Sequence, residues 1–573
     1  MIRNDIADLV AQAIRDAQAA GALPAFEIPA VEIGRPKDPK HGDYAANIAM
    51  QLARPARMAP LAVAQAIIAH LPAHPALGEV QALPPGFINF RLGDGWLAGQ
   101  VAAIEASGGQ YGNIDLGHGR TCQVEFISAN PTGPLHMGSA RNAVLGDSLG
   151  NLLAAAGWQV QREYYVNDAG TQMRTFAETV FLRYKQVLGL DAPLDKQHYQ
   201  GTDIIDLART IAAEHGRRFL DMPEEDAILE LREIALTKVL ANIRQTVERL
   251  RIHFDCWYSE RSLYEPGGRF EHVLSHLREN GMTTQRDGAE WLLTSTMGSD
   301  RDEVIVRSSG QPGYYASDIA YHYDKFALRG FDRVIDVWAV DHQNQARRMP
   351  YLMRALGLDP QRLDILLYDI VRLYRDGQEV KLSKRSGNVI TIDEVVDEVG
   401  VDAVRFLLLT RSNQAVMDFD LNLAVAQKDE NRAFYVQYAH ARMASILRRA
   451  AERGFPRERW ADGNLDLLRH PAELTLLRKM ADLSEVIERA ALDLAPHNLA
   501  FYAQDLAKLF HAFYRDCRVL PGREDDAAGE GAAAPEAEIA AELSAARLRL
   551  VAATQSVFAR VLGLLGVAAP ESM

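Results

Sequence analysis

The sequence predicts an α/β protein. Its centre is a doubly wound, Rossmann-like parallel sheet, with a small α/β unit in front and an all-helical region behind. Three observations carry that expectation. Strand, loop and helix alternate from Cys122 to Leu188 and again from Val334 to Val371, the pattern of parallel sheets covered by helices. Roughly the first hundred residues mix helical and extended spacings in one compact run. From about Asn431 onward apolar residues recur only at three- and four-residue steps, as at Tyr435, Tyr438 and Ala439.

In the front unit Ile6, Leu9, Val10 and Ile14 have helical spacing. Phe26 to Ile33 reads as extended, Ala59 to Leu71 as an Ala-rich helix and Phe87 to Leu92 as a strand. The Gly-rich polar stretch Ser107 to Gly119 reads as a linker. The central unit opens with a strand, Cys122 to Ser128, a loop rich in Pro and Gly, and a helix from about Gly138 to Ala156. Gly157 follows where a helix-ending glycine belongs. Gln159 to Val166 predicts a second strand and Gln172 to Leu188 a second helix. A mostly helical stretch and an antiparallel pair, Glu290 to Thr296 and Glu303 to Arg307 across Gly298, make about 190–310 an insertion. Val334 to Val340, a helix near 345–356 and the apolar strand Ile365 to Val371 resume the alternation. The expected domains are 1–112, 113–430 and 431–573, with a mobile Ala-, Gly- and acid-rich loop at Pro521 to Glu542.

Composition narrows the function classes. A chain of 573 residues, 48% apolar and 24% charged, is an ordinary globular one of several domains. Cys122, Cys256 and Cys517 lie far apart with no C-x-x-C, so neither a disulfide scaffold nor a cysteine zinc site is expected; a reducing compartment is. No apolar run is long enough for a membrane span, and MIRNDIADLV lacks the apolar core of a signal peptide. The net charge of −14 looks unfavourable for a nucleic-acid binder. It excludes none, since phosphates meet local basic patches rather than a whole-chain sum.

Two loops carry chemistry. "FISANPTGPLHMGSARNAVLGD" places Asn130, Pro131, Thr132 and Gly133 in a loop between a strand and a helix N-terminus, where amides and helix dipole favour an anion. His136 can donate to a phosphate oxygen, and Gly138 lets a flat ring approach. A Pro/Gly turn with a surface histidine is the plainer alternative. "GQEVKLSKRSGNVIT" sets Lys381, Ser383, Lys384 and Arg385 in a short polar loop after the Ile365 to Val371 strand. Lysine there suits a phosphate that gains charge during reaction; a solvated basic turn is the alternative. Both loops together point to nucleotide phosphates held from two sides.

HMGS and KLSKR resemble the two signature motifs of class I aminoacyl-tRNA synthetases. "YYVNDAGTQM", "VRLYRDGQEVKLSKRSGN", "YVQYAHARM", "GDYAANIAMQLA" and "PGFINF" extend the resemblance, over essentially the whole chain, to the arginyl-tRNA synthetases. The resemblance implies ligation of L-arginine to tRNA(Arg) through arginyl-adenylate, using ATP and Mg²⁺, in a cytoplasmic monomer that binds neither DNA nor membrane. It implies that His136 and Lys384 stabilise the transition state at phosphorus and that Gly138 makes room for adenine. Met137, Ser139, Leu382 and Arg385 depart from the class-wide motif without replacing a charge the mechanism needs. It maps the arginine pocket onto Glu125, Asn130, Tyr314, Asp318 and His342, with Gln343 as an alternative to His342. Asp318 could instead cap the helix before "IAYHYDKF". For tRNA it suggests Phe87 and Asn89 in the front unit, and Tyr435, Gln437, Tyr438 and Arg442 in the helical region, some of whose aromatics could equally be core. Other class I members fit less well: a cysteine-specific enzyme would bring a zinc cluster, and editing members a larger insertion. A catalytically inactive tRNA-binding paralogue is the alternative of another class.

Overall fold

The computed structural model describes residues 1–380, 390–520 and 541–573. In the front unit β1 (Ile33–Gly34), β2 (Tyr44–Ala46), β3 (Leu77–Leu83) and β4 (Phe87–Leu92) form an antiparallel sheet ordered β1-β2-β4-β3. Ile88, Phe90 and Leu92 are buried, beneath the Ile2–Ala19 and Pro60–Ala69 helices. The period-two geometry of β4 turns Phe87 and Asn89 the other way. Of the Phe26 to Ile33 stretch only Ile33 joins a strand.

The central sheet follows the expected alternation. β5 (Thr121–Glu125), β6 (Gln159–Val166) and β7 (Cys256–Ser259) run parallel and side by side. The insertion contributes a separate antiparallel sheet of β8 (Thr283–Arg286), β9 (Ala289–Leu292) and β10 (Glu303–Val306). The chain then returns to the far side of β5 with β11 (Arg333–Ala339) and β12 (Leu363–Tyr368), so the order is β12-β11-β5-β6-β7, all parallel. Strand order reverses between β5 and β11. In doubly wound sheets ligands bind in the crevice beyond the carboxyl ends at such a point.

One expected strand is two. The apolar run Ile365 to Val371 breaks at Asp369: β12 ends at Tyr368, and β13 (Val371–Arg375) belongs to another sheet. There it pairs with β14 (Gln378–Val380) and β15 (Met417–Asp420). Asp369 is held as a corner: its amide donates to Asn413 O at 2.8 Å, and its carbonyl accepts from Arg141 at 2.7 Å. Arg141 also donates to Ala415 O and Ser412 O. The basic motif therefore follows a hairpin arm, β14, and not a strand of the parallel sheet.

Behind lies a helical bundle. The Arg432–Glu452 helix is capped by the Asn431 side chain, which accepts from the amides of Ala433 and Phe434. Gly157, at φ +87°, ends the Met137–Ala155 helix as the sequence predicts. The acid-rich loop expected at Pro521 to Glu542 lies, but for its last two residues, outside the described residues. Among the described residues no helix is long and apolar enough to cross a membrane.

Gly146 shows how tightly the Met137–Ala155 helix sits on β5. A Cβ there would stand 2.2 Å from Phe126 Cγ. Gly146→Ala should therefore push helix from sheet and cost about 1–3 kcal/mol of stability, despite alanine's better helix propensity. Urea unfolding followed by tryptophan fluorescence checks it; an unchanged or higher midpoint would refute that close approach.

Candidate active site

A cavity of about 950 Å³ opens at the carboxyl ends of β5 and β11. Glu125 closes β5, and the chain then turns through Ile127 and Ser128 at φ +66° and +41°. A β-branched residue in that region is strained and must be held by its surroundings. Asn142 holds it: its Oδ1 accepts from the Ile127 amide at 2.7 Å, while its Nδ2 donates to Val337 O on β11 at 2.9 Å.

His136 occupies the N-cap position of the Met137–Ala155 helix, and both His136 and Gly138 line the cavity. A Cβ on Gly138 would come within 2.8 Å of the His136 imidazole, so glycine keeps this turn open. Met137 N donates to Ile390 O at 3.2 Å, and Ile392 N to Leu135 O at 3.0 Å. The segment just after the basic motif is thus bridged to the first motif, while Glu379 and Val380 just before it line the cavity. Lys381, Ser383 and Lys384 themselves lie outside the described residues.

The loop residues divide. Asn130 lines the cavity; Pro131, Thr132 and Gly133, grouped with it from the sequence, do not. The chain turns outward, with Thr132 N bonded to Asn130 O at 2.8 Å, and a Cβ on Gly133 would meet Asp203 Oδ2 at 2.7 Å. Gly133 thus lies against the start of the Thr202–His215 helix.

Glu125, Tyr314, Asp318 and His342 all reach the cavity. Glu125 Oε1 accepts from Ser128 Oγ at 2.9 Å and Oε2 from Lys325 Nζ at 2.7 Å. Asp318 sits in the first turn of the Ala316–Tyr323 helix, whose N-cap position is Tyr315 with no side-chain cap. The helix-cap alternative is therefore not realised: Asp318 Oδ2 accepts instead from Gln345 Nε2 at 2.7 Å. Tyr314 is 67% exposed at the mouth. His342 is exposed, with Nδ1 3.2 Å from Gln345 Oε1, and Gln343 is not among the lining residues. Sequence reasoning missed Gln345, two positions past the pair it weighed, and Lys325, whose partner Glu125 is 200 residues away.

A second cavity, about 810 Å³, lies on the front unit and is lined by both Phe87 and Asn89, with Arg35, Lys37 and His41. Asn89 Nδ2 donates to His41 O at 2.7 Å, and its Oδ1 is buried without a hydrogen-bond partner. In the helical region Tyr435, Tyr438 and Arg442 share a helix face. Tyr438 stacks on Phe434 at 5.9 Å, and Arg442 lies 4.7 Å over Tyr514. Gln437, two residues from Tyr435, points elsewhere and donates to Asp402 and to Ala568 O.

Three family models cover the chain. That described as "Arginyl tRNA synthetase N terminal domain" matches residues 4–92, "tRNA synthetases class I (R), catalytic domain" 100–437, and "DALR anticodon binding domain" 436–573. The chain belongs to the arginyl-tRNA synthetase family. It is 44% identical over 572 residues to the arginine–tRNA ligase of Dehalococcoides mccartyi (strain CBDB1), covering 100% of this chain and 99% of the relative. It is 45% identical over 576 residues, with the same coverage, to that of Heliobacterium modesticaldum. Arginyl-tRNA synthetase from Thermus thermophilus has the same fold, with a TM-score of 0.72 at 24% identity over all of both chains.

Electrostatics of this family member's pocket are set by burial. Desolvation pushes the Glu125 and Asp318 carboxyls above their ordinary range, against the pull of Lys325 on Glu125 and of His322 on Asp318. Asp336 is buried too, but Lys325 and His322 hold it well below that range. Glu125 and Asp336, which share Lys325, are thus driven apart, a pattern typical of functional sites.

A carboxyl raised by folding costs stability above its unfolded value, because the ionised form prefers the unfolded chain. Asp318→Asn, whose amide oxygen can still face Gln345, should raise the thermal midpoint of the ligand-free protein. The gain should be larger near pH 7.5 than near pH 5. Scanning calorimetry at both values checks the sign; a gain that grew on acidification would contradict the raised carboxyl.

Proposed function

We propose that this chain ligates L-arginine to tRNA(Arg) in two steps. The arginine carboxylate attacks the α-phosphorus of ATP, pyrophosphate leaves, and arginyl-adenylate results. The arginyl group then passes to the terminal ribose of tRNA and AMP leaves. The observation that carries this reading is Asp318, a carboxylate embedded in protein yet open to the cavity, whose hydrogen bond comes from the neutral amide of Gln345. A site that keeps such a carboxylate without a cationic partner on it is built for a cation from outside.

In this reading Asp318 and Glu125 take the guanidinium, whose planar fork of donors suits paired carboxylates. Tyr314 walls the aliphatic stem, and Asn130 with His342 takes the α-amino group. His136 and Gly138 face the nucleotide, and Lys381, Ser383 and Lys384 complete the phosphate side. The bridge between Leu135–Met137 and Ile390–Ile392 supports that pairing, because it anchors the second motif's exit beside the first. Pro131, Thr132 and Gly133 would act through the loop's shape rather than by contact. Magnesium would enter with ATP as the counter-ion of its phosphates. Among the described residues no three His, Cys, Asp or Glu side chains gather to hold a metal, so its ligands would be phosphate oxygens and water.

Phe87 and Asn89, one as a stacker and one as an edge reader, would meet the tRNA elbow. Tyr435, Tyr438 and Arg442 present stacking chemistry for anticodon bases; Gln437 would act by fixing the helix. The domains would divide near 112 and 430, and the enzyme would work as a cytoplasmic monomer. Intact His136, Gly138, Glu125 and Asp318 argue against an inactive paralogue. Pyrophosphate exchange tests the whole: it should need arginine, ATP and tRNA together. Robust exchange without tRNA would set the chain apart from the family behaviour assumed here.

Two variants test the residue roles. Lys384→Ala should lower kcat by about 2–4 kcal/mol in activation free energy, with little change in KM for ATP, since its charge matters most as phosphorus gains negative charge. A raised KM with unchanged kcat would make that loop a ground-state binder. Asp318→Asn should cost at least about 2 kcal/mol in kcat/KM for arginine. It should also narrow the discrimination against uncharged citrulline, because the wild-type pocket rejects citrulline by leaving a carboxylate unpaired. Full arginine activity and undiminished rejection of citrulline would move the pocket elsewhere.

A further inference from the structure

Beneath the cavity lies a cation that the two signature motifs do not use. Lys325 is 0% exposed; its Nζ donates to Glu125 Oε2 at 2.7 Å and to Asp336 Oδ1 at 2.8 Å, and sits 4.0 Å from the Tyr321 ring centroid. It is placed there by a π-helical turn, Asp324–Leu328, that continues the Ala316–Tyr323 helix carrying Asp318. Such turns gather at functional sites because they re-aim one side chain within a helix. A buried lysine with no partner loses its proton; here two carboxylates hold it charged.

The charges around it can be counted. Glu125 comes from β5, Asp336 from β11, and Asp318 and His322 from the helix. Glu163 on β6 also lies near, but Arg329 takes both its oxygens and Tyr321 Oη one of them. His322 Nε2 is 2.8 Å from Asp336 Oδ2, and its Nδ1 is 2.7 Å from Asp318 O. Three carboxylates thus face one ammonium and one imidazole. With all three ionised, negative charge is left over whatever the state of the imidazole.

We propose that Lys325 is a positioning residue for arginine selection: its ammonium keeps Glu125 ionised and aimed, so that Glu125 can accept from a guanidinium. This rests on the reading of Glu125 and Asp318 as the guanidinium pair. A protonated Glu125 would itself carry a donor, and a guanidinium has no acceptor to offer it. Burial and Asp336 both push Glu125 toward protonation, and Lys325 opposes them. Without the lysine, the ionised form would be reached only at higher pH.

The test uses the full chain with tRNA present, reading KM for arginine and for ATP by pyrophosphate exchange between about pH 6 and about pH 8.5. Lys325→Met should raise the arginine KM at least about ten-fold near pH 7, leave the ATP KM within about two-fold, and make kcat/KM for arginine climb with pH. In Lys325→Met with Asp336→Asn the push from Asp336 is also gone, so that climb should weaken. A lysine that only supports the fold would lower stability and kcat without a pH-dependent arginine KM. The proposal falls if Lys325→Met folds and keeps the wild-type arginine KM and the wild-type pH profile; should it not fold, the double variant overturns it by keeping the wild-type arginine KM. In the wild type any acid limb of the arginine KM should lie at lower pH than in Lys325→Met; a limb at the same pH in both would also overturn it. Glu125→Gln with an unchanged arginine KM would fail the guanidinium reading itself. A raised KM in Glu125→Gln beside an unchanged one in Lys325→Met fails the role of Lys325 alone.

Discussion

Selecting a guanidinium inside a cleft requires carboxylates that stay ionised out of water, and burial works against that state. An isolated buried carboxylate picks up a proton rather than bear the desolvation cost. Here Lys325, which bridges Glu125 and Asp336 at the ends of β5 and β11, offsets that cost in part for Glu125, and with His322 it outweighs it for Asp336. The π-helical turn at Asp324–Leu328, the parallel register that sets Glu125 opposite Asp336, and the burial of Tyr321 all serve this arrangement. Breaking a buried pair from one side leaves an uncompensated charge, which is costly. The cluster therefore constrains the neighbouring elements as much as they constrain it.

A second constraint is that two chain segments far apart in sequence must meet across one cavity. Main-chain bonds between Leu135–Met137 and Ile390–Ile392 join them directly. Arg141, one turn into the first motif's helix, spends its guanidinium on three carbonyls of the corner and loop that support β13 and β15. The same helix is tied again near its middle: Asp147 pairs with buried Arg405, which also donates to Leu250 O and to Leu565 O of the C-terminal segment. One helix thus contacts the cavity, the small sheet and the helical bundle. Displacement of any of these would be felt at His136.

Legibility followed the range of the interactions. β6 and the Met137–Ala155 helix were readable nearly to the residue because local patterning decides them, and Gly157 marked the helix end. The run Ile365 to Val371 misled, since an apolar run reports burial but not which sheet does the burying; the corner at Asp369 is imposed by Arg141 and Asn413. In the site, the spacing of Glu125 with Asn130 and of Tyr314 with Asp318 did correspond to one cavity. Pro131, Thr132 and Gly133 do not line that cavity; a Pro/Gly loop signals a turn without showing which side faces it. Lys325 was invisible: in "HYDKFAL" it looks like a solvated helix charge, and its partner Glu125 lies 200 residues away.

Local strain and buried charge at the cavity both lower stability where they occur, and the scaffold must over-determine them to keep one geometry. Ile127 and Ser128 would relax from positive φ if Asn142 did not hold the Ile127 amide on one side and Val337 on the other. Asp318 would find water or a proton if Gln345 did not orient it. Neither Asn142 nor Gln345 carries charge. Neutral amides can steer a strained turn and a carboxylate without cancelling that carboxylate's charge, whereas a lysine or arginine in either place would pair with the carboxylates proposed to meet the substrate. The chain's internal cation is instead kept below the cavity, at Lys325, where it can support Glu125 while remaining fully buried. In the proposed pocket discrimination would depend on geometry as well as on charge: a guanidinium can engage two carboxylates at once, and an ammonium, though equally charged, cannot present that planar fork.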